Sequence, residues 1–357
     1  MHPVRLILLA ASAALFGAAG AIAQPVAPLV VDGQSLDPAL HALLLQEQAA
    51  ARAAPAVPGD PGATAEGRAA ARAAFDRRWA SRTIASADMA WVRDLAATGR
   101  GGAIPVRVYR PSVEGPLPVI VYYHGGGWIL GGLDGADGAV RLIANEARAI
   151  VVSVGYRLAP EHPYPAAWDD AEDAFAWVEG QAAAWGGDPA RIAVGGDSAG
   201  GNLAVTTSLR RLAAGRRAPV AQLLYYPAVD MGRDYPSWRL FGEGFGLDRS
   251  FADYVMPRVF PAGNQGGPEG SPLHARAAGP VPPTVLAIAG FDILRDPADA
   301  YAARLARDGV RVTRLLYPGL THGFLQLSGP VPEAARAARE PARRLGELVR
   351  EVARPAS

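Results

Sequence analysis

The stretch Val194-Gly195-Gly196-Asp197-Ser198-Ala199-Gly200-Gly201-Asn202-Leu203 constrains this chain more than any other. An apolar run meets a cluster of the smallest residues, and a helix-forming run follows. That order reads as a buried strand, a sharp turn and a helix. A turn so tight brings strand and helix nearly into contact, so the flanking positions must lack bulk. Within it, Gly196-x-Ser198-x-Gly200 puts a serine at the tip, in the strained position of a nucleophile elbow. Ser198 is therefore the candidate nucleophile. With 41 glycines in the chain, the pattern needs partners before it carries an assignment.

Elements around the elbow supply a frame. Met89 to Leu95 and Ile104 to Tyr109 predict antiparallel strands joined by the glycine-rich turn Thr98 to Gly102. Strands are then expected at Leu117–Tyr123, Ala149–Val154, Ile192–Gly195, Ala221–Tyr225, Thr284–Ala289 and Val312–Tyr317. Between them, helices are expected at Ala139–Ala147, Ala166–Trp185, Gly201–Ala213 and Pro297–Asp308, with a last helix at about Val331–Val352. Alternation of this kind predicts a mostly parallel sheet with helices on both faces. Active groups in such sheets lie in loops at the carboxyl ends of strands.

Two segments break the rhythm. From Gln24 to about Ser86 the chain is alanine-rich. Leu36 to Leu45 predicts a helix with Pro38 in its first turn, Ala54–Gly67 reads as a loop, and Ala69–Ser81 reads as a second helix. Met231–Gly263 is aromatic and is expected to be a helical insertion. Residues 24–86 and about 231–263 are thus the material for a cap over a catalytic domain that spans 87–357. Ahead of them, residues 1–23 read as a secretory signal peptide: Arg5, then an apolar run from Leu6 to about Gly20, then Ala21-Ile22-Ala23 before Gln24. Cleavage after Ala23 would send the protein to the periplasm or the medium, with no stable membrane anchor.

Composition removes rival chemistries. The chain has no cysteine, which excludes thiol nucleophiles, disulfides and thiolate metal sites. It also has no lysine; all 35 basic residues are arginine. A Walker phosphate loop, a Schiff-base lysine and a Ser-Lys dyad are therefore excluded. Without Arg5 of the signal segment, 34 basic residues face 34 acidic ones. No basic stripe points to nucleic acid or to an anionic membrane.

The strand ends can then be read for a base and an acid. Of six histidines only His274 and His322 follow Ser198. His274 precedes its next strand and so falls at the wrong end of the sheet, whereas His322 follows Val312–Tyr317. Asp292 comes first after Thr284–Ala289, with Asp296 one helical turn later as the alternative acid. Ser198, Asp292 and His322 therefore share one rim. Serine needs a base to take its proton, and the base needs an acid to fix its tautomer. An oxyanion needs preorganised donors: the Ala199 N–H, and glycine amides in His124-Gly125-Gly126-Gly127. His124 is read as orienting that loop. Asp197 is read as bonding nearby backbone. Arg157, Glu161, Asp169 and Asp170 are read as one supporting ion-pair cluster.

These motifs carry a resemblance. Pro105 to Pro111, Tyr123-His124-Gly125-Gly126-Gly127-Trp128, Tyr156 to Glu161, Pro163 to Ala167, Gly196-Asp197-Ser198-Ala199-Gly200, Ser271-Pro272-Leu273, Asp292-Ile293-Leu294-Arg295-Asp296 and His322-Gly323-Phe324 stand in family order over about residues 90–330. The chain resembles the hormone-sensitive-lipase-like branch of the α/β hydrolases, the bacterial esterases marked by HGGG and GDSAG. The resemblance implies an α/β-hydrolase fold with a helical cap and the triad Ser198, Asp292 and His322. It implies oxyanion donors on Gly126, Gly127 and Ala199, with Gly125 as a further candidate. Ile293 and Pro297 depart from the family's usual Asp-Pro-Leu-Arg-Asp-Glu and leave the acid intact. The expected function is a serine carboxylesterase acting on short- to medium-chain esters through an acyl-enzyme. No cofactor or metal is expected. The expected partner is a small ester, with no nucleic acid, and a homodimer is left open. Lipase, amidase or lactonase activity with the same triad is the alternative. A non-catalytic binding module is the rival from another class.

Overall fold

The computed structural model describes residues 27–53, 60, 62–85, 88–232 and 235–352. The expected signal segment 1–23, and residues 54–59 and 61 of the expected loop, lie outside them. The chain opens with a small hairpin, β1 (Val30–Val31) and β2 (Gln34–Ser35), then helices α1 (Pro38–Ala53) and α2 (Ala65–Arg82). Asp37 Oδ1 accepts the Leu40 N–H at 3.0 Å, which caps α1. Thr64 caps α2 by accepting the Gly67 N–H at 3.0 Å. Because of that cap, Ala65 to Gly67 are helical and not part of the expected loop.

The sheet follows: β3 (Met89–Gly99), β4 (Gly102–Pro111), β5 (Leu117–Tyr123), α3 (Leu133–Ala147), β6 (Ile150–Val154), α4 (Ala166–Gln181), β7 (Gly187–Asp197), α5 (Ala199–Ala213), β8 (Gln222–Tyr225), α6 (Pro236–Leu240), α7 (Arg249–Val259), β9 (Thr284–Phe291), α8 (Arg295–Arg307), β10 (Val312–Thr321) and α9 (Pro332–Val352). Strand order is β10-β9-β8-β7-β5-β6-β4-β3. The six strands from β10 to β6 pair in parallel, and β4 and β3 add antiparallel pairs. Every residue of β5, β6 and β9 is buried, as an apolar run covered on both faces must be. Helices α3 and α9 pack together on one face, and α4 and α5 pair on the other.

The eight strands of the main sheet and the helices between them follow the sequence reading in order, but the β1–β2 hairpin was not expected and α3 begins at Leu133, six residues before the expected Ala139. Helix α4 stops at Gln181, and Ala182–Trp185 tightens into a 3₁₀ turn that ends at Gly186, whose φ is 74°. Helix α5 begins at Ala199, two residues earlier than expected, because the turn before it is shorter. Strands β9 and β10 run on to Phe291 and Thr321. The aromatic insertion is helical, as α6 and α7, and its rings divide. Trp238 and Phe241 are fully buried, while Phe251 faces the cavity described below. Among the described residues, no helix is long and apolar enough to cross a membrane.

Candidate active site

Three strands end at the same rim, and the residue immediately after each is a member of the expected triad. Ser198 follows Asp197 of β7, Asp292 follows Phe291 of β9, and His322 follows Thr321 of β10. His322 Nε2 lies 2.9 Å from Ser198 Oγ, and His322 Nδ1 lies 2.7 Å from Asp292 Oδ2. Asp292 is buried and its other oxygen accepts the Leu294 N–H at 2.9 Å, so the carboxylate is held at both ends. With Nδ1–H donating to Asp292, the lone pair of Nε2 points to the serine hydroxyl.

The elbow is as tight as its glycines require. Ser198 has φ 55° and ψ −118°, a strained conformation for a residue with a side chain. A Cβ on Gly200 would stand 1.9 Å from the Tyr123 carbonyl oxygen, and one on Gly196 would stand 2.2 Å from the Gly200 oxygen. Strand β5, strand β7 and helix α5 meet there with no room for a methyl group.

Beside the serine runs the loop from His124 to Trp128. Gly126 has φ 118° and Gly127 φ 62°. Among the described residues, neither amide N–H is taken by a protein acceptor. The Ala199 N–H opens α5 and has no partner within its helix. All three residues line the same cavity as Ser198. Gly125 is different, and its candidacy is corrected: its N–H donates to Asp197 Oδ1 at 2.9 Å and is not available to an oxyanion.

Asp197 therefore does more than bond its own turn. The Tyr122 hydroxyl donates to Oδ1 at 2.7 Å, and Gln326 Nε2 donates to Oδ2 at 3.1 Å. Gln326 Oε1 in turn accepts the Tyr226 hydroxyl at 2.9 Å. The Tyr226 ring lies 4.6 Å from that of His322, centre to centre. Burial pushes Asp197 above the ordinary carboxylate range, and its three hydrogen bonds only partly offset this. This network ties the elbow, the glycine loop and the segment after His322 into one unit. Sequence reasoning missed Tyr122, Tyr226 and Gln326. The available signal for Gln326 was its place one helical turn beyond His322.

The remaining candidates fall out as structural groups. His124 Nδ1 lies 2.8 Å from the Gly125 carbonyl oxygen, and the ring stacks on Tyr156 at 4.3 Å. Burial pushes its imidazole down to about 4, so it is neutral at pH 7 and orients the loop. His274 Nε2 bonds Asp230 Oδ2 at 2.9 Å, not the serine. Asp296 accepts the Ser237 N–H at 2.8 Å and supports α6. The expected single ion-pair cluster is corrected to separate sets. Arg157 pairs with Asp170 at 2.8 Å, Glu161 with Arg68 and Arg72 of α2, and Asp169 with Arg210 and Arg100. Glu161 is drawn to α2 because that helix lays two arginines across it.

Above the triad lies a cavity of about 620 Å³. Its floor includes Gly126, Gly127, Ser198, Ala199 and His322. Its roof comes from α1, α2 and α7, through residues such as Leu44, Ala71, Phe75, Phe251 and Met256. The N-terminal arm and the insertion thus both cover the serine.

Comparison with known proteins agrees with this geometry. A family model described as the alpha/beta hydrolase fold matches residues 120–326. The chain is 40% identical over 310 residues to the carboxylic ester hydrolase LipN of Mycobacterium tuberculosis, across 84% of this chain and 79% of that protein. It is 39% identical to an ethyl acetate hydrolase of Pseudomonas putida, across 68% of this chain and 78% of that protein. Among solved structures, an α/β hydrolase from the metagenome of Lake Arreo superposes with a TM-score of 0.82 at 35% identity, covering 87% of this chain and 98% of that one. An esterase of Pyrobaculum calidifontis superposes with a TM-score of 0.77 at 34% identity, with the same shares covered. A serine–histidine–aspartate array at three neighbouring strand ends, below a helical roof and in a chain so similar to known esterases, leaves one conclusion: this protein belongs to the hormone-sensitive-lipase-like family of α/β hydrolases and is a carboxylic ester hydrolase.

Proposed function

We propose that Ser198 is the nucleophile, His322 the general base and then acid, and Asp292 the group that holds His322. His322 Nε2 takes the hydroxyl proton as Ser198 Oγ attacks the ester carbonyl carbon. The negative charge that develops on the carbonyl oxygen is met by the N–H groups of Gly126, Gly127 and Ala199. His322 then protonates the leaving alcohol, and an acyl-enzyme remains. Water, deprotonated by the same nitrogen, attacks the acyl carbon and releases the acid and the free serine. The observation that carries this reading is the pair of contacts at His322, 2.9 Å to Ser198 and 2.7 Å to Asp292.

The substrates proposed are short- to medium-chain esters. A cavity of about 620 Å³ under a helical roof suits a small molecule. We further propose that residues 1–23 direct export, on the strength of Arg5, the apolar run and the Ala21-Ile22-Ala23 end. N-terminal sequencing of the protein recovered outside the cytoplasm tests this, with Gln24 the expected first residue.

The catalytic assignment is tested by Ser198→Ala. Turnover should fall by about 10⁶, and an organophosphate should label Ser198 and nothing in the variant. Persistence of wild-type turnover would overturn the assignment. A p-nitrophenyl ester series from acetate to palmitate tests chain length, and an optimum at palmitate would replace the substrate class with long-chain lipids.

A further inference from the structure

The roof of the cavity carries a charge that the triad does not need. Helix α2 runs along the cavity and presents Ala70, Ala71, Ala74, Phe75, Arg78 and Arg82 to it. At about 1.5 Å of rise per residue, Arg78 lies about 6 Å and Arg82 about 12 Å along the helix from Ala74. The lane is thus small and apolar at one end and cationic at the other.

Both guanidinium groups meet one carboxylate. Arg78 Nη2 donates to Glu47 Oε2 at 2.6 Å, and Arg82 Nη1 donates to Glu47 Oε1. Two cations on one anion leave an excess of one positive charge on this wall. Among the described residues, no second carboxylate stands within ion-pair reach of either arginine. Of the other acids of the cavity, Asp60 is paired with a cation, whereas Asp248 is bonded to a neutral N–H. Asp60 accepts Arg258 at 2.6 Å and the Tyr254 hydroxyl at 2.8 Å, and Asp248 accepts the Gly244 N–H at 2.8 Å. Each guanidinium has five N–H donors, so Glu47 uses only a minority of them. Burial lowers the proton affinity of Arg78, Glu47 opposes the fall, and Arg82 adds to it. An excess charge beside an apolar wall is screened less than one in open water.

We propose that Arg78 and Arg82 form an anion subsite within the substrate cavity, and that the enzyme takes esters bearing a second, ionised carboxyl group, such as monoesters of dicarboxylic acids. This rests on the ester-hydrolase reading of the same cavity. A carboxylate matches the guanidinium fork and carries the single negative charge that the wall lacks. A phosphate dianion would leave a surplus negative charge against apolar side chains.

The test compares kcat/KM on monoethyl and diethyl esters of butanedioic to octanedioic acids, read by titration of released acid. The quantity of interest is the ratio of anionic to neutral ester. It should fall about tenfold or more in Arg78→Met and in Arg82→Met. It should stay within about threefold of wild type in Arg78→Lys, and rise in Glu47→Gln, which removes the competing anion. Added salt should lower the wild-type ratio toward that of the methionine variants. A ratio unmoved by either methionine variant, or lowered in Glu47→Gln, overturns the subsite. Should Arg78→Met fail to fold, Arg82→Met and the salt series decide the same question. Loss of turnover on both esters by folded wild type would instead refute the catalytic reading, so the two failures are distinct.

Discussion

Gly126→Ala and Gly127→Ala should displace two proposed oxyanion donors by different amounts, because a Cβ at the first meets backbone and at the second meets side chains. Gly126 has φ 118°, which residues with a Cβ rarely adopt. A methyl group there would lie 2.3 Å from the Leu130 carbonyl oxygen and 2.6 Å from its carbon. Both are backbone atoms, and ordinary contact begins near 3.4 Å, so the loop must move by about 1 Å. A displacement of that size can cost about 10²-fold in rate, and loss of one oxyanion donor costs about 10²–10³, or about 2.7–4 kcal/mol of transition-state stabilisation. The expected result is a kcat lowered by about 10²–10³ on p-nitrophenyl butyrate with KM little changed, because the donor acts on charge that the ground state lacks. Gly127→Ala is the comparison. Its φ of 62° lies in the left-handed region, at a cost of about 1–2 kcal/mol, and its nearest neighbours are the Phe251 and Val255 side chains at 3.1 and 3.3 Å. Side chains can yield where a carbonyl cannot, so its kcat should fall at least about tenfold less. Melting curves of both variants show whether the fold is intact. A Gly126→Ala enzyme with an unchanged melting point and kcat within about threefold of wild type, or one faster than Gly127→Ala, would refute the reasoning.

Replacing Gln326 by Leu removes a donor from Asp197 and an acceptor from Tyr226, both buried. Each orphaned group costs about 1–3 kcal/mol, so urea unfolding should shift toward lower denaturant while kcat falls more than KM rises. Asn202→Leu should also destabilise by about 2–4 kcal/mol. It strips Trp168 of its acceptor at 3.1 Å and the Ala228 and Glu269 carbonyls of a donor at 2.9 Å, which thermal melting would register. Asp76 of α2 faces Gly132 and Gly135 at the start of α3, with Oδ1 buried and without a hydrogen-bond partner among the described residues, and burial followed by the nearby Asp134 raises it to about 6. The native state therefore holds this proton more tightly than the unfolded chain, and the associated stability is present below about pH 4 and lost as pH rises through about 6. A rise of that size corresponds to about 3 kcal/mol, which contact with water reduces to about 1–2 kcal/mol. Asp76→Asn should gain stability over wild type progressively between pH 4 and pH 7, and a constant difference in melting point across that range would refute it.

The legible parts of this molecule are those encoded by local pattern. The inner strands β5, β6 and β9 are nearly continuous apolar runs, the carboxyl ends of the parallel strands could be placed to within a few residues, and Ser198, Asp292 and His322 are each the first residue past such an end. The elbow was legible because contact between strand and helix forbids anything larger than glycine at Gly196 and Gly200. Less legible was helix α2. None of its residues is fully buried, so its alanines and arginines show no apolar stripe to reveal which face turns inward. That is why the partners of Glu161 were assigned to its own neighbourhood, when Arg68 and Arg72 reach it from about ninety residues away. Gly125 was equally opaque, since its amide is indistinguishable in sequence from those of Gly126 and Gly127. Only the approach of Asp197, 72 residues on, separates them.

That last contact explains why three distant motifs act as one. Asp197 is the second residue of Gly196-Asp197-Ser198, and it has no hydroxyl or imidazole chemistry of its own. Its carboxylate fixes the glycine loop through Gly125, the sheet through Tyr122 and the segment beyond His322 through Gln326. An aspartate that merely closed the elbow turn could be exchanged for another turn residue without reaching the other loops. Here exchange would free the glycine loop and the histidine segment together, because both hang from the same two oxygens. Burial makes the arrangement exacting: a carboxylate out of water is tolerated only while its donors stay in place. The elbow therefore helps to set the spacing of the rim that carries Ser198 and His322.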